Sequence, residues 1–222
     1  MYGAGRREQQ LFMNDLPDFP PSAFLKEDPS PDALFYEEPR FVTHIDRAAI
    51  ATVTALYRKL LPPGGVILDL MSSWISHLPN DVAYGEVVGH GMNEEELAAN
   101  KRLTRRFVQD LNADPILPID SASIDAAAIC VSIQYLQQPV AVLREVARVL
   151  KPGAPVAITF SNRCFPTKAV AIWHSLSDEQ HAGLVALYLE RAGFVAVETQ
   201  PPDQIVKGKN PLYAVIGRTP RP

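Results

Sequence analysis

The chain has 222 residues, 47% of them hydrophobic and 21% charged, with a formal net charge of −4 and a pI near 5.7. That length fits one domain with an appendage better than two full domains, and the composition is that of a globular protein with a self-sufficient core. An acidic balance argues against a nucleic-acid binder that works by neutralising phosphates. The one local basic cluster, Lys101, Arg102, Arg105 and Arg106, reads as a solvated face rather than an anion site.

Two cysteines, Cys130 and Cys164, give no disulfide framework and suit a reducing compartment. No basic stretch followed by an apolar run opens the chain, and no segment approaches the roughly 18 apolar residues of a membrane span. A cytoplasmic protein with no membrane span is the expectation.

Residues 1–39 differ from the rest. Pro17, Pro20, Pro21, Pro29, Pro31 and Pro39 interrupt any helix or strand. This segment is expected to be an extended arm, ordered where Phe12, Leu16, Phe19, Phe24 and Phe35 find apolar surface. A helix then begins at Asp46, whose carboxylate can cap the first turn while Ile45 staples to Ile50. Ile50, Val53, Tyr57 and Leu60 recur at helical spacing until Pro62-Pro63-Gly64-Gly65 stops it.

Strands and helices alternate from there. The expected strands are 66–70, 86–91, 107–111, 124–132, 155–160, 194–199 and 212–217. Asn93 and Glu96 suggest a capping box for a short helix, and Ser177 with Gln180 another for a helix over 178–192. An amphipathic helix spans 139–150 and ends at Lys151-Pro152-Gly153, and a further helical stretch covers 166–175. Short apolar strands between helices predict an α/β fold, a mostly parallel sheet covered on both faces.

The stretch "LPIDSASIDAAAICVSIQYLQQPVAVLREVARVLKPGAPVAITF" (117–160) resembles class I S-adenosylmethionine-dependent methyltransferases, in particular the type 11 branch that includes quinone-biosynthesis enzymes. Leu117-Pro118, Asp125, Glu145, Arg148, Leu150 and Lys151-Pro152-Gly153 carry the resemblance, which fades over residues 40–218. It implies a Rossmann-like seven-stranded sheet whose last strand lies antiparallel beside the fifth, over a domain of residues 40–222. It also implies S-adenosylmethionine as cofactor and a small-molecule acceptor. The loops after Leu70, Gly91, Asp110 and Ser132 should then surround one pocket.

The cofactor motif is altered. Asp69 stands where the family has its acid, but Met71, Ser73 and Ile75 occupy the glycine positions, where φ > 0 would strain Met71 or Ile75. Pro79 cuts short the helix that should follow. At the end of the second strand the ribose-binding acid is replaced by Gly91, followed by Met92, and Asn93 or Glu94 is the substitute within reach. Asp110-Leu111 matches the adenine-binding pair.

Two readings stay open. In one, Ser72, Ser73 and the amides around Trp74 replace the glycine turn of a working methyltransferase. In the other, the fold has lost or changed its cofactor and serves as a ligand-binding or interaction protein.

Methyl transfer needs alignment, and a base only where the acceptor must lose a proton. The catalytic candidates are Tyr135, after the fourth strand, and His77, at the end of the altered loop. His44 lies in a segment that the resemblance makes a lid. Arg163, after the fifth strand, could bind a carboxylate or phosphate of the substrate. No metal-ligand spacing, Gly-x-Ser-x-Gly elbow or dinucleotide fingerprint occurs in the sequence, and no metal is expected.

Overall fold

The apolar runs pair as their alternation with helices demands. In the computed structural model, which describes residues 15–202 and 210–221, seven strands form one sheet. They are β1 (Val66–Leu70), β2 (Glu86–Gly91), β3 (Arg105–Val108), β4 (Ala126–Cys130), β5 (Pro155–Phe160), β6 (Val195–Gln200) and β7 (Tyr213–Arg218). Their spatial order is β3-β2-β1-β4-β5-β7-β6, with β7 antiparallel between β5 and β6. Strand order switches between β1 and β4, so the carboxyl ends of those strands open a crevice.

The helices are α1 (Asp32–Phe35), α2 (Arg47–Leu60), α3 (Glu94–Ala99), α4 (Pro139–Val149), α5 (Ala171–Ser175) and α6 (Asp178–Arg191). Alternate residues of each strand feed opposite faces. Ile67 packs with Val53 and Tyr57 of α2 on one face; Leu68 and Leu70 join the cluster of α4 and α6 on the other. Asp46 caps α2 by accepting from the Ala49 amide at 2.9 Å. Ser177 and Gln180 complete the box that opens α6.

Some elements shift from their expected places. Pairing of β3 ends at Gly91 with Val108, so Asp110 and Leu111 lie in the turn beyond the strand. The box at α3 is half built. Asn93 Oδ1 accepts from the Glu96 amide at 3.0 Å, but Glu96 Oε1 accepts from the Arg40 amide at 2.7 Å and so holds the arm instead. The arm is also less extended than its prolines suggested, with a 3-10 turn at Pro21–Phe24 and the single turn of α1 after Pro31. Proline is tolerated in a first helical turn because its missing N–H has no partner there anyway. Phe12 lies outside the described residues; Leu16, Phe19 and Phe24 join the main core.

The crossover from β1 to β2, residues 71–85, contains no helix. Its carbonyls and amides are satisfied from outside. Asn100 Nδ2 donates to Ser73 O at 2.9 Å and Ser76 Oγ at 2.8 Å, the Arg102 guanidinium to Pro79 O and Val82 O, and Thr54 Oγ1 to His77 O. Arg102 is thereby spent on backbone, while Arg105 pairs with Glu86 at 3.0 Å and Arg106 with Glu94 at 2.8 Å. Three members of the basic cluster are thus internally engaged.

The arm is pinned by buried charge. Lys168 is fully buried; its Nζ donates to Ser30 O at 2.8 Å and lies 3.0 Å from Asp28 Oδ2 and 3.5 Å from Asp32 Oδ1. Lys26 also pairs with Asp32. A buried ion pair that loses one partner leaves an uncompensated charge. Lys168→Met is therefore expected to lower unfolding free energy by about 3 kcal/mol in urea titration. A loss below about 1 kcal/mol would show that packing, not charge, holds the arm.

Candidate functional site

A cavity of about 350 Å³ opens at the carboxyl ends of β1, β2 and β4, within the roughly 300–1,000 Å³ range of small-molecule sites. Asp69, Met71, Ser72, Ser73 and His77 reach it from the first loop, and Gly91 and Met92 from the second. Asp110 and Leu111 line it from the turn after β3, and Ser132 and Tyr135 from the segment after β4. These residues therefore border one space, whereas Glu94 and Trp74 do not. The arm adds Asp32 and Tyr36 to its wall, and the segment leading into α2 adds Arg40 and His44.

The first loop is built around a histidine. His90 is buried inside β2, and burial holds its pKa down to about 4, so the ring is neutral at neutral pH. The Met71 amide donates to His90 Nδ1 at 3.1 Å, which leaves the Nε2 proton for Gln109 O at 2.9 Å. The Ser72 amide donates to the His90 carbonyl. These bonds hold Met71 at φ 57°, the strained left-handed region that the sequence anticipated at this position. Ile75 shows no such φ; His77 (φ 53°) and Val131 (φ 48°) do, and both line the cavity. Each such residue costs about 1–3 kcal/mol, and strain of this kind clusters at functional sites.

Asp69 is 3% exposed and accepts from Ser72 Oγ at 2.6 Å. Burial pushes its pKa up to about 6, against the hydroxyl bonds of Ser72 and Ser76. The thioether of Met71 packs against the core, and the Trp74 indole donates to Val42 O at 3.0 Å. Neither closes the cavity.

The first loop leaves no space for a side chain at Gly91. A Cβ there would sit 2.6 Å from the Ser72 carbonyl oxygen and 3.1 Å from Leu97 Cδ2. The expected substitutes for a ribose-binding acid are engaged elsewhere. Asn93 Nδ2 donates to Tyr36 O and Glu37 O, and Glu94 pairs with Arg106 at the surface. The α3 carboxylate on the cavity wall is Glu96, which burial drives above the usual range.

At the third strand, Asp110 Oδ1 accepts from the Asn112 amide at 2.9 Å. No acceptor among the described residues engages the Leu111 amide. Asn112 Nδ2 donates to Asp32 Oδ2 and to Tyr135 O. The Tyr135 hydroxyl accepts from the Phe165 amide at 2.9 Å, and burial raises its pKa well above the usual phenol range. It therefore stays protonated. No helix adjoins His77, its buried Nδ1 has no hydrogen-bond partner among the described residues, and burial with the nearby His44 lowers its pKa.

Sequence reading missed His90, Asn100 and Asn112. A histidine inside an otherwise apolar strand was the available signal for the first; nothing local marks the two asparagines. Among the described residues no group of His, Cys, Asp or Glu could hold a metal, and no helix is long and apolar enough to cross a membrane.

Two measurements probe this geometry. Gly91→Ala is expected to lower stability by about 1–3 kcal/mol, because the Ser72 carbonyl is backbone and must move. Gly183→Ala, an exposed site inside α6 with open space around it, should gain about 0.5–1 kcal/mol as its control. Equal denaturation midpoints for Gly91→Ala and the native chain would show that the loop yields freely.

Asp69 provides the second. Its folded pKa of about 6 lies above the ordinary 3.8, so between those values the folded state holds a proton that the unfolded state has released. Stability attributable to Asp69 is then highest below pH 4 and falls as pH rises to 6, by on the order of 3 kcal/mol. His90, lowered to about 4, acts in the opposite sense over part of that window. The native chain minus Asp69→Asn isolates the Asp69 slope, and parallel stability curves between pH 4 and 6 would refute it.

A family model described as a methyltransferase domain matches residues 72–158. No curated protein matches the sequence significantly. Among solved structures, a chain of the Haloferax volcanii complex that contains the Trm112 methyltransferase activator superposes with a TM-score of 0.59 at 16% identity, over 78% of this chain and 91% of that one. A Thermotoga maritima protein described as a SAM-dependent methyltransferase and possible histamine N-methyltransferase gives 0.58 at 18% identity, over 78% and 90%. The (4+2)-cyclase SpnF gives 0.58 at 15%, over 79% and 83%. Strand order, the antiparallel seventh strand and these likenesses agree: the chain is built on the class I methyltransferase fold.

Proposed function

We propose that the chain transfers a methyl group from S-adenosylmethionine to a small molecule, with residues 40–222 as the methyltransferase domain and residues 1–39 as an arm closing over it. The observation that carries this reading is one cavity bordered both by the unengaged Leu111 amide beside the Asp110 carboxylate and by the buried Asp69. The first pair suits an adenine edge, which needs one acceptor and one donor. Met92 offers apolar surface beside it. With a pKa of about 6, Asp69 is ionised at neutral pH. A carboxylate in a poorly solvated pocket attracts a cation strongly.

When bound, S-adenosylmethionine supplies an electrophilic methyl group on a cationic sulfur, which an aligned nucleophile takes in line. The chain's own residues orient and desolvate. Tyr135, held protonated, can donate a hydrogen bond but cannot act as a base. His77 is the better candidate for a base: neutral, on the wall, and with a buried ring nitrogen that lacks a partner. Ser72 and Ser73 replace the bare glycine turn, and Glu96 is the available carboxylate near the sugar position.

The second reading, a protein of this fold that binds another ligand without methyl transfer, draws on the Gly91 contact with Ser72, which leaves no space for a side chain where the family has its ribose acid. Calorimetric titration with S-adenosylmethionine and S-adenosylhomocysteine separates the two. The methyltransferase reading expects micromolar-range binding of both, weakened roughly tenfold or more in Asp110→Ala as one charge-assisted bond is lost. Absence of binding at millimolar ligand would leave the second reading.

A further inference from the structure

The cavity wall carries both signs of charge. Asp69, Glu96 and Asp110 line it near β1, β2 and β3. The segment leading into α2 and the segment after β5 bring Arg40, His44 and Arg163 to the same cavity. Phe165 packs among these basic residues. Its ring lies 5.4 Å from that of His44, 5.8 Å from that of Tyr135 in a stacked arrangement, and 5.6 Å from the Arg40 guanidinium carbon. Arg40 also stands 4.4 Å over Phe35 and donates to the Phe35 carbonyl at 2.7 Å, so its fork is held in place.

Neither guanidinium on this wall is paired with a carboxylate among the described residues, whereas Arg58, Arg105, Arg106, Arg144, Arg148 and Arg191 all are. Asp32, the arm carboxylate that lines the cavity, is already matched by Lys26 and Lys168. Glu96 meets Arg40 through the backbone amide. His77, with its unpartnered Nδ1, borders the same cavity.

We infer that this basic group forms an oxyanion site: Arg163, seconded by Arg40 and His44, binds a carboxylate or phosphate carried by the molecule that the chain acts on. Guanidinium forks match both oxyanions, and in a partly desolvated pocket such a bond discriminates strongly against neutral analogues. Burial together with the positive field of Arg40 and Arg163 keeps His44 below the ordinary histidine range. The inference rests on the proposed methyl transfer only for the identity of the molecule as acceptor; the site itself stands without it.

The test uses the full chain and three probes: benzoate, its neutral isostere benzamide, and inorganic phosphate. Each is titrated while the imidazole nitrogen–proton correlations of His44 and His77 are followed by NMR, with and without S-adenosylhomocysteine. Saturable shifts with benzoate or phosphate, and none with benzamide, are expected; which anion binds tighter identifies the source. Arg163→Gln should weaken that binding about tenfold or more, and Arg163→Lys should restore part of it. Arg163 is exposed and its side chain makes no internal polar bond, so the variants should fold normally. Equal response to benzoate and benzamide, or unchanged anion binding in Arg163→Gln, overturns the site. So does displacement of the anion by S-adenosylhomocysteine with weakened nucleoside binding in Arg163→Gln, which would assign the arginine to the cofactor's own carboxylate. A chain that binds benzoate but no adenosyl ligand keeps the oxyanion site and loses the methyltransferase reading.

Discussion

The structure depends on how a parallel crossover without a helix satisfies its backbone. Two adjacent parallel strands are normally joined through a helix whose N–H and C=O groups bond to one another. Residues 71–85 make the connection in irregular backbone, and buried polar groups there must find other partners. They find side chains: His90 for the Met71 amide, Asn100 for the Ser73 carbonyl, Thr54 for His77, and Arg102 for Pro79 and Val82. His90 sits on β2 and Thr54 on α2, while Asn100 and Arg102 belong to the turn between α3 and β3, so the loop takes its shape from the sheet and the segments that flank it.

The cavity inherits that rigidity. With Met71 and His77 in left-handed backbone and the Ser72 carbonyl against Gly91, the loop has little room to relax into a glycine-rich turn. The same contact leaves no space for a side chain at the corner where β2 ends. Beside it the Trp74 indole turns toward Val42, and the space beyond Asp69 stays open.

Strand periodicity, caps and breakers made most of the sheet and its helices legible in the sequence, because those signals are local. Asp46 and Ser177 cap as their spacing implies. The third strand was misplaced because β3 is an exposed edge strand whose residues carry little apolar signal, while "FVQDL" merely looks like a strand. The second half of the α3 box failed because Glu96 has a tertiary partner, the Arg40 amide, 56 positions away. Many of the cavity residues could be named because the family resemblance supplied the strand order and the loop positions. What could not be read was the state of each group: that His77 Nδ1 lacks a partner, that the Tyr135 hydroxyl accepts from the Phe165 amide, or that His90 fixes the loop.

Asn112 shows how these parts act together. Its amide nitrogen bonds the arm carboxylate Asp32 and the Tyr135 carbonyl, and its oxygen accepts from the Gln137 amide at 2.7 Å. One side chain thus joins the arm, the turn bearing Asp110 and Leu111, and the segment after β4. A ligand that displaced the turn would strain all three bonds, and an arm that lifted would remove a partner from the turn. The geometry of the turn bearing Asp110 and Leu111 and the position of the arm are therefore set by the same contacts. For that reason the arm belongs to the site as much as the sheet does.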